Sequence, residues 1–265
     1  MNSSQHLQWP TLTYLGGPTI LVGYAGLSFL TDPTFDPPGE YPLGGGRVLV
    51  KLAGPAISAE ELGAVDVVLL SHDQHPDNLD RSGRKFLSHA GLILSTSAAA
   101  DRIPGVHGLR SWEQVVLSAA VPVTVTAVPA LHGPSGAEVL TGEVSGFVLE
   151  AQGWPTIYVS GDNASLELAA EISRRFPDTG LVIVFAGAAR TALFDGAPLT
   201  LGSAEVVRLA EIFPAASVVP VHTEGWQHFT EGPEKVRSSM SEAGLESRLI
   251  LLQPGQLEHL GSLGR

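Results

Sequence analysis

A chain of 265 residues is long enough to bury a substantial core, as one large domain or two small ones, and 44% apolar against 16% charged side chains fits a compact globular protein. A formal charge of -12, with 15 basic residues and no basic cluster, argues against any partner recognised through its phosphate backbone, which is gripped mainly by Lys and Arg. With no cysteine there is neither a disulfide framework nor a thiolate, so a bound metal must be held by nitrogen and oxygen donors.

Apolar, β-branched runs predict strands at 19–22 and 27–31. The apolar stretch 20–30 is broken by Gly23 and Gly26 and is too short to span a bilayer, and no basic-then-apolar leader opens the chain. The expectation is a soluble, cytoplasmic protein with no membrane partner. Residues 32–46, rich in Pro and Gly, predict the longest loop. A strand at 65–70 then runs into Ser71-His72-Asp73-Gln74-His75-Pro76-Asp77-Asn78-Leu79-Asp80, where Pro76 predicts a helix start that would put Asp77 and Asn78 in its first turn. Further strands are expected at 92–95, 121–128, 146–150, 156–160, 181–185, 217–221 and 249–252. Helical periodicity marks 82–89, 97–102, 166–176, 204–213 and 233–243. Strands dominate the first half and alternate with helices in the second, a mixture suited to two packed sheets with helices outside. No charge run or low-complexity linker divides the sequence, so one domain over residues 1–265 is expected.

Four segments share one grammar, an apolar strand running into a potential ligand: they end at His72, His132, Asp162 and His222. Strand ends hold side chains rigidly, so imidazole and carboxylate there suggest a transition metal. If the ends converge on one rim, His72, His75, Asp77, His132, Asp162 and His222 suffice for two metal shells.

In that pattern the chain resembles the metallo-β-lactamase-fold hydrolases, nearest in character to the small cytoplasmic branch with ascorbate-phosphate lactonase-like proteins. The resemblance runs from Thr31-Asp32-Pro33 to His222. The family's signature is His-x-His-x-Asp-His after a strand, then a lone His, a bridging Asp and a final His. It implies an α+β, four-layer αββα sandwich of two mixed sheets. It assigns His72 and His132 to a first metal, Asp77 and His222 to a second, and Asp162 to both, with His75-Pro76-Asp77-Asn78 matching the latter part of the signature. Here an extra residue separates His72 from His75, and Asn78 stands where the last signature His is expected. An amide oxygen suits harder ions than an imidazole does, which leaves the second site weak, vacant or filled by another metal such as manganese.

The activity implied is metal-dependent hydrolysis of a small-molecule ester, lactone or phosphodiester by a water activated on one or two divalent ions, zinc first and manganese as the alternative. Asp77 would orient that water or take its proton. His228 is either a proton donor, a substrate contact or a solvated loop histidine. Asp32 would orient a ligand from behind, and Glu224 lies at the surface or in a similar supporting position. Trp226, Phe229, Phe35, Tyr41 and Phe194 either wall a pocket or pack down loops, and His6, His89, His107 and His259 carry no pattern. Arg190, Lys51 and Arg47 are the basic residues near loops, which favours a neutral or mildly anionic small molecule. Two rivals stand beside this reading: a non-catalytic metal-binding relative with an altered ligand signature, and a nuclease of the same superfamily, against which the acidic charge counts. Self-association as a homo-oligomer is compatible with all three.

Overall fold

Fifteen strands and seven short helices fill residues 8–262, the part described by the computed structural model. His6 lies outside the described residues. In chain order the elements are β1 (Thr11–Gly16), β2 (Thr19–Tyr24), β3 (Leu27–Thr31), β4 (Gly39–Gly44), β5 (Arg47–Lys51), α1 (Ala59–Leu62), β6 (Val65–Leu69), α2 (Arg81–Phe86), β7 (Ala90–Thr96), α3 (Ser97–Arg102), β8 (Val106–Leu109) and β9 (Gln114–Leu117). They continue with β10 (Val123–Pro129), α4 (Glu138–Thr141), β11 (Ser145–Ala151), β12 (Thr156–Val159), α5 (Leu166–Arg175), β13 (Thr179–Phe185), α6 (Ser203–Ile212), β14 (Ser217–Val221), α7 (Pro233–Glu242) and β15 (Leu257–His259).

One sheet has the order β15-β1-β2-β3-β6-β7-β8 and the other β14-β13-β12-β11-β10-β9. Period-two alternation divides their side chains between layers. In β13, Leu181, Ile183 and Phe185 point into the core between the sheets, while Val182 and Val184 pack outward with Ile172, Val206, Leu209 and Val236 of α5, α6 and α7. On the other side Val68, Leu70 and Ile93 meet Phe86 and Leu87. The result is the α+β, αββα sandwich.

Strand direction positions the site. β10 is antiparallel to β11, and β11 to β12, so β10 and β12 run the same way; β12, β13 and β14 are parallel. The C-terminal ends of β10, β12 and β14 therefore leave one edge of their sheet. In the facing sheet β3 and β6 are also parallel, so the residues after both emerge together.

Three expectations are corrected. Residues 32–46 are not all loop: β4 pairs with β5 in a separate two-stranded ribbon, turning at Gly44, Gly45 and Gly46 with φ of 82, 59 and 77°. Its Pro42 is exposed, as proline must be in an isolated ribbon, and this composition masked the strand. No helix begins at Pro76; residues 76–78 form one turn, with Asn78 N–H and Leu79 N–H donating to His75 C=O, and α2 starts at Arg81 because Asp80 caps it through Gly83 N–H at 2.7 Å. The run 249–252 makes only a bridge from Leu249 to Val218, and the edge strand comes later, at β15. Among the described residues no helix is long and apolar enough to cross a membrane.

Candidate metal centre

The ends of β6, β10, β12 and β14 bring His72, His132, Asp162 and His222 together, and the turn after β6 adds His75 and Asp77. Ligand-type atoms of His72, His75, His132 and Asp162 lie within 4.8 Å of one another, and so do those of Asp77, Asp162 and His222. Asp162 belongs to both groups. Its Oδ2 is 3.4 Å from His132 Nε2 and 4.0 Å from His72 Nε2, whereas its Oδ1 is 3.6 Å from His222 Nε2. His222 Nε2 is also 3.5 Å from Asp77 Oδ2.

The supports of these groups fix which atoms face inward. His132 Nδ1 donates to Leu199 C=O at 2.8 Å, leaving Nε2 as the free lone pair, and Ser71 Oγ sits 2.9 Å from His72 Nδ1. His75 Nδ1 lies 2.8 Å from His72 Nε2, so the extra residue in the signature is absorbed without turning His75 away. Asp32, fully buried, accepts Ser71 N–H at 2.6 Å and Asn78 Nδ2–H at 3.3 Å, so it supports Asn78 directly and His72 only through Ser71, whose hydroxyl meets the ring. The Leu199 contact has no sequence signal, whereas Ser71 adjoins the first histidine.

Burial dominates the electrostatics. It holds His72 well below its ordinary pKa, aided by His75 and His132, and brings His75 down to about 4, so both imidazoles are neutral and able to ligate. Burial also pushes Asp32 up to about 8. Against burial, His228 and His222 pull Asp77 well below the carboxylate range; His222 is raised by the Asp162 and Asp77 charges although burial opposes its own.

The most telling feature is what the buried atoms lack. Both oxygens of Asp162, both ring nitrogens of His222 and Asn78 Oδ1 are buried without a hydrogen-bond partner. Buried polar groups are normally paired, and a cluster of orphans at one point is the signature of a site built for a cation. The donor set of imidazole and carboxylate fits a transition-metal ion.

Backbone geometry is specialised as well. His222 adopts φ 56°, and Gly161, preceding Asp162, also has φ 56°. A Cβ on Gly161 would lie 2.6 Å from Ser145 C=O and 2.9 Å from Ser71 Cβ. Gly161→Ala is therefore expected to cost about 2 kcal/mol or more in urea unfolding and to displace Asp162 enough to lower metal content.

His228 falls outside both ligand groups, yet its Nε2 is 3.0 Å from Asp77 Oδ2. With His75, Asp77 and His132 it lines a cleft of about 490 Å³. None of the aromatic candidates lines this cleft: Phe35 meets Phe86, Tyr41 meets Trp226, and Phe229 lies 4.1 Å from His222 by ring centroids. Aliphatic side chains wall the cleft instead, among them Leu43 and Val48 of the ribbon and Leu140 of α4. Lys51 is no substrate clamp; it is 3% exposed and bound to Asp80 at 2.8 Å. Glu224 is half-buried beside Gly17 and Trp226, in a separate cavity.

Two facing mixed sheets with helices outside, and a histidine–aspartate rim at the C-terminal strand ends able to hold metal, define the metallo-β-lactamase fold with a candidate metal centre. The family model described as a beta-lactamase superfamily domain matches residues 28–223, and the chain belongs to that superfamily. The UPF0173 protein YddR of Bacillus subtilis is 25% identical over 92% of this chain and 98% of its own. A UPF0173 metal-dependent hydrolase of Pyrococcus abyssi is 26% identical over 74% of this chain and 82% of its own. Among solved structures, an isothiocyanate hydrolase from Delia radicum gut bacteria superposes with a TM-score of 0.81 at 23% identity, covering 94% of this chain and 98% of the other, a likeness of fold.

Proposed function

We propose that the chain, acting as a single domain, hydrolyses a small-molecule ester, lactone or phosphodiester with one or two divalent ions. His72, His75, His132 and Asp162 would hold the first, and Asp77, Asp162 and His222 the second. The observation that carries this reading is Asp162, whose two buried, unpartnered oxygens face two different sets of imidazoles. Nitrogen and oxygen donors without sulfur suit zinc, with manganese as the alternative. Bound there, such ions would supply Lewis acidity and bring a water's pKa toward neutrality.

The chain's own groups supply the rest. Asp77, held ionised by His222 and His228, orients the attacking water or takes its proton. His228 faces the cleft at hydrogen-bond distance from Asp77, so it can receive that proton and deliver it to the leaving group. Leu43, Leu49 and Leu140 set apolar surface beside the reacting bond, for the non-polar part of a substrate. A small molecule in a cytoplasmic setting, without nucleic-acid or membrane partners, remains our reading of the acidic charge. A purely structural metal site would fit a His75 turned outward; its 2.8 Å contact with His72 favours catalysis.

The test is metal analysis of untagged protein reconstituted with Zn²⁺ or Mn²⁺, beside a panel of lactones, thioesters and bis-p-nitrophenyl phosphate. Stoichiometry below a few tenths per chain, or no turnover across the panel, sinks the reading. His228→Gln should lower kcat by about 10²-fold or more on alkyl esters, less on p-nitrophenyl esters whose leaving group needs no proton, with KM little changed.

A further inference from the structure

The cleft above Asp162 carries a charge pattern that hydrolysis by itself does not require. Apart from Asp77 on its floor, the charged side chains lining it are Arg47 and Arg190, with no further carboxylate. In a chain with 27 acidic residues against 15 basic, this reverses the sign of the molecule as a whole. Cationic groups at the mouth of an acidic protein concentrate anions there, because the surrounding field repels them elsewhere.

The two arginines come from separate elements on the cleft wall. Arg47 opens β5 directly after the glycine turn of the ribbon and is exposed. Arg190 follows β13; its backbone N–H donates to His228 C=O at 2.9 Å, and its guanidinium donates through one nitrogen to Gly196 C=O at 2.5 Å. That single neutral bond orients the group while leaving its charge uncompensated. Glu231 feels Arg190 at longer range, but its Oε2 is taken by Ser203 N–H at 2.6 Å. Among the described residues neither arginine stands in an ion pair, whereas Arg81, Arg84, Arg102, Arg175 and Arg237 all do.

The same cleft carries exposed apolar side chains. Leu140 is 64% exposed and Val48 46%, and both line the cleft with Leu43 and Leu193. Large aliphatic side chains left facing solvent around a concave site are the usual mark of a surface completed by a ligand.

We propose that the cleft selects an amphipathic oxyanion: an acid group bound by Arg47 and Arg190, and an apolar body laid over Leu43, Val48 and Leu140. For turnover this rests on the hydrolase reading; for binding it does not. Guanidinium groups match carboxylate and phosphate alike, so the shared chemistry is the oxyanion.

The experiment is calorimetric titration of metal-loaded and metal-free protein with hexanoate, hexyl phosphate and the neutral hexanamide. At least one oxyanion should bind about tenfold or more tightly than hexanamide in both forms, and comparison of the two identifies the acid. The exposed pair Arg47→Gln/Arg190→Gln should lower oxyanion affinity by about tenfold and leave hexanamide within about twofold. Leu140→Ser should weaken all three ligands. Equal binding of hexanamide, oxyanion binding indifferent to the arginine pair or confined to the metal-loaded form, or no binding up to about 10 mM, overturns the proposal. Arginine-dependent binding without turnover of any ester would remove the hydrolase reading alone; turnover with binding indifferent to the arginines would remove this one alone.

Discussion

Asp162→Ala is expected to lower kcat/KM by about 10³-fold or more and to abolish the stabilisation that divalent metal gives the folded protein. Loss of a residue that merely supports a ligand already costs about 10–100-fold, and Asp162 faces both ligand groups at once. The wild type should gain about 2.7 kcal/mol at a metal concentration one hundred times Kd, read as a rise in Tm over protein in EDTA. In the variant that rise should fall toward zero. The metal-free form carries the sharper distinction. No hydrogen bond is made by either Asp162 oxygen, so a carboxylate is being held dry with only its attraction to the neighbouring imidazoles in return. Metal-free Asp162→Ala should therefore be no less stable than metal-free wild type, despite losing a fully buried side chain. An Asp162 whose job is structural would give the opposite result, a lower Tm in EDTA with metal uptake unchanged.

The same atoms show why much of this site was legible in the sequence. His72, His132, Asp162 and His222 each follow a run of β-branched residues, and a strand end is one of the few places where local sequence fixes a side chain's direction in space. Their convergence needed the topology, which the strand pattern implies only through the resemblance to a known fold. The irregular signature was legible as a departure but not in its outcome. Pro76 reads as a helix start, yet Asp80 competes for that role by accepting Gly83 N–H, and the helix begins four residues later than Asp77. The cleft was the least legible part. Its wall is the β4–β5 ribbon, hidden in a Pro- and Gly-rich segment, and α4, a four-residue helix with no side-chain cap whose Val139 and Leu140 face solvent. The ribbon packs only Tyr41, Leu43 and Leu49 against Trp226, among Pro and Gly, and α4 is a single turn, so neither leaves a run long enough for its periodicity to be read. Lys51 shows the converse error. In the sequence it is one of three basic residues near loops that could clamp a phosphate, but burial and a carboxylate 2.8 Å away make it a structural cation.

That carboxylate belongs to Asp80, and Asp80→Ala should cost the metal-free protein about 3–5 kcal/mol in urea unfolding, the largest loss expected from any single change outside the core. Four donors converge on it. Oδ1 accepts Phe35 N–H at 3.0 Å and Gly83 N–H at 2.7 Å; Oδ2 accepts Asp36 N–H at 2.7 Å and Lys51 Nζ–H at 2.8 Å. The Asp80 side chain is fully shielded, so its removal strands a buried ammonium and three backbone donors away from water, besides uncapping α2. The reverse change, Lys51→Met, leaves Asp80 with three N–H partners and a helix N-terminus, so it should cost only about 1–2 kcal/mol. The asymmetry follows from Asp80 tying together the segment after β3, the ribbon and the turn that carries His75 and Asp77. A double-mutant cycle between Asp80→Ala and Lys51→Met should return a coupling of about 2 kcal/mol, because the stranded ammonium is absent from the double variant. Equal costs for the two single changes, or a cycle that closes additively, would show that Lys51 reaches solvent when Asp80 is gone and that the pair does not clamp the ribbon to the site.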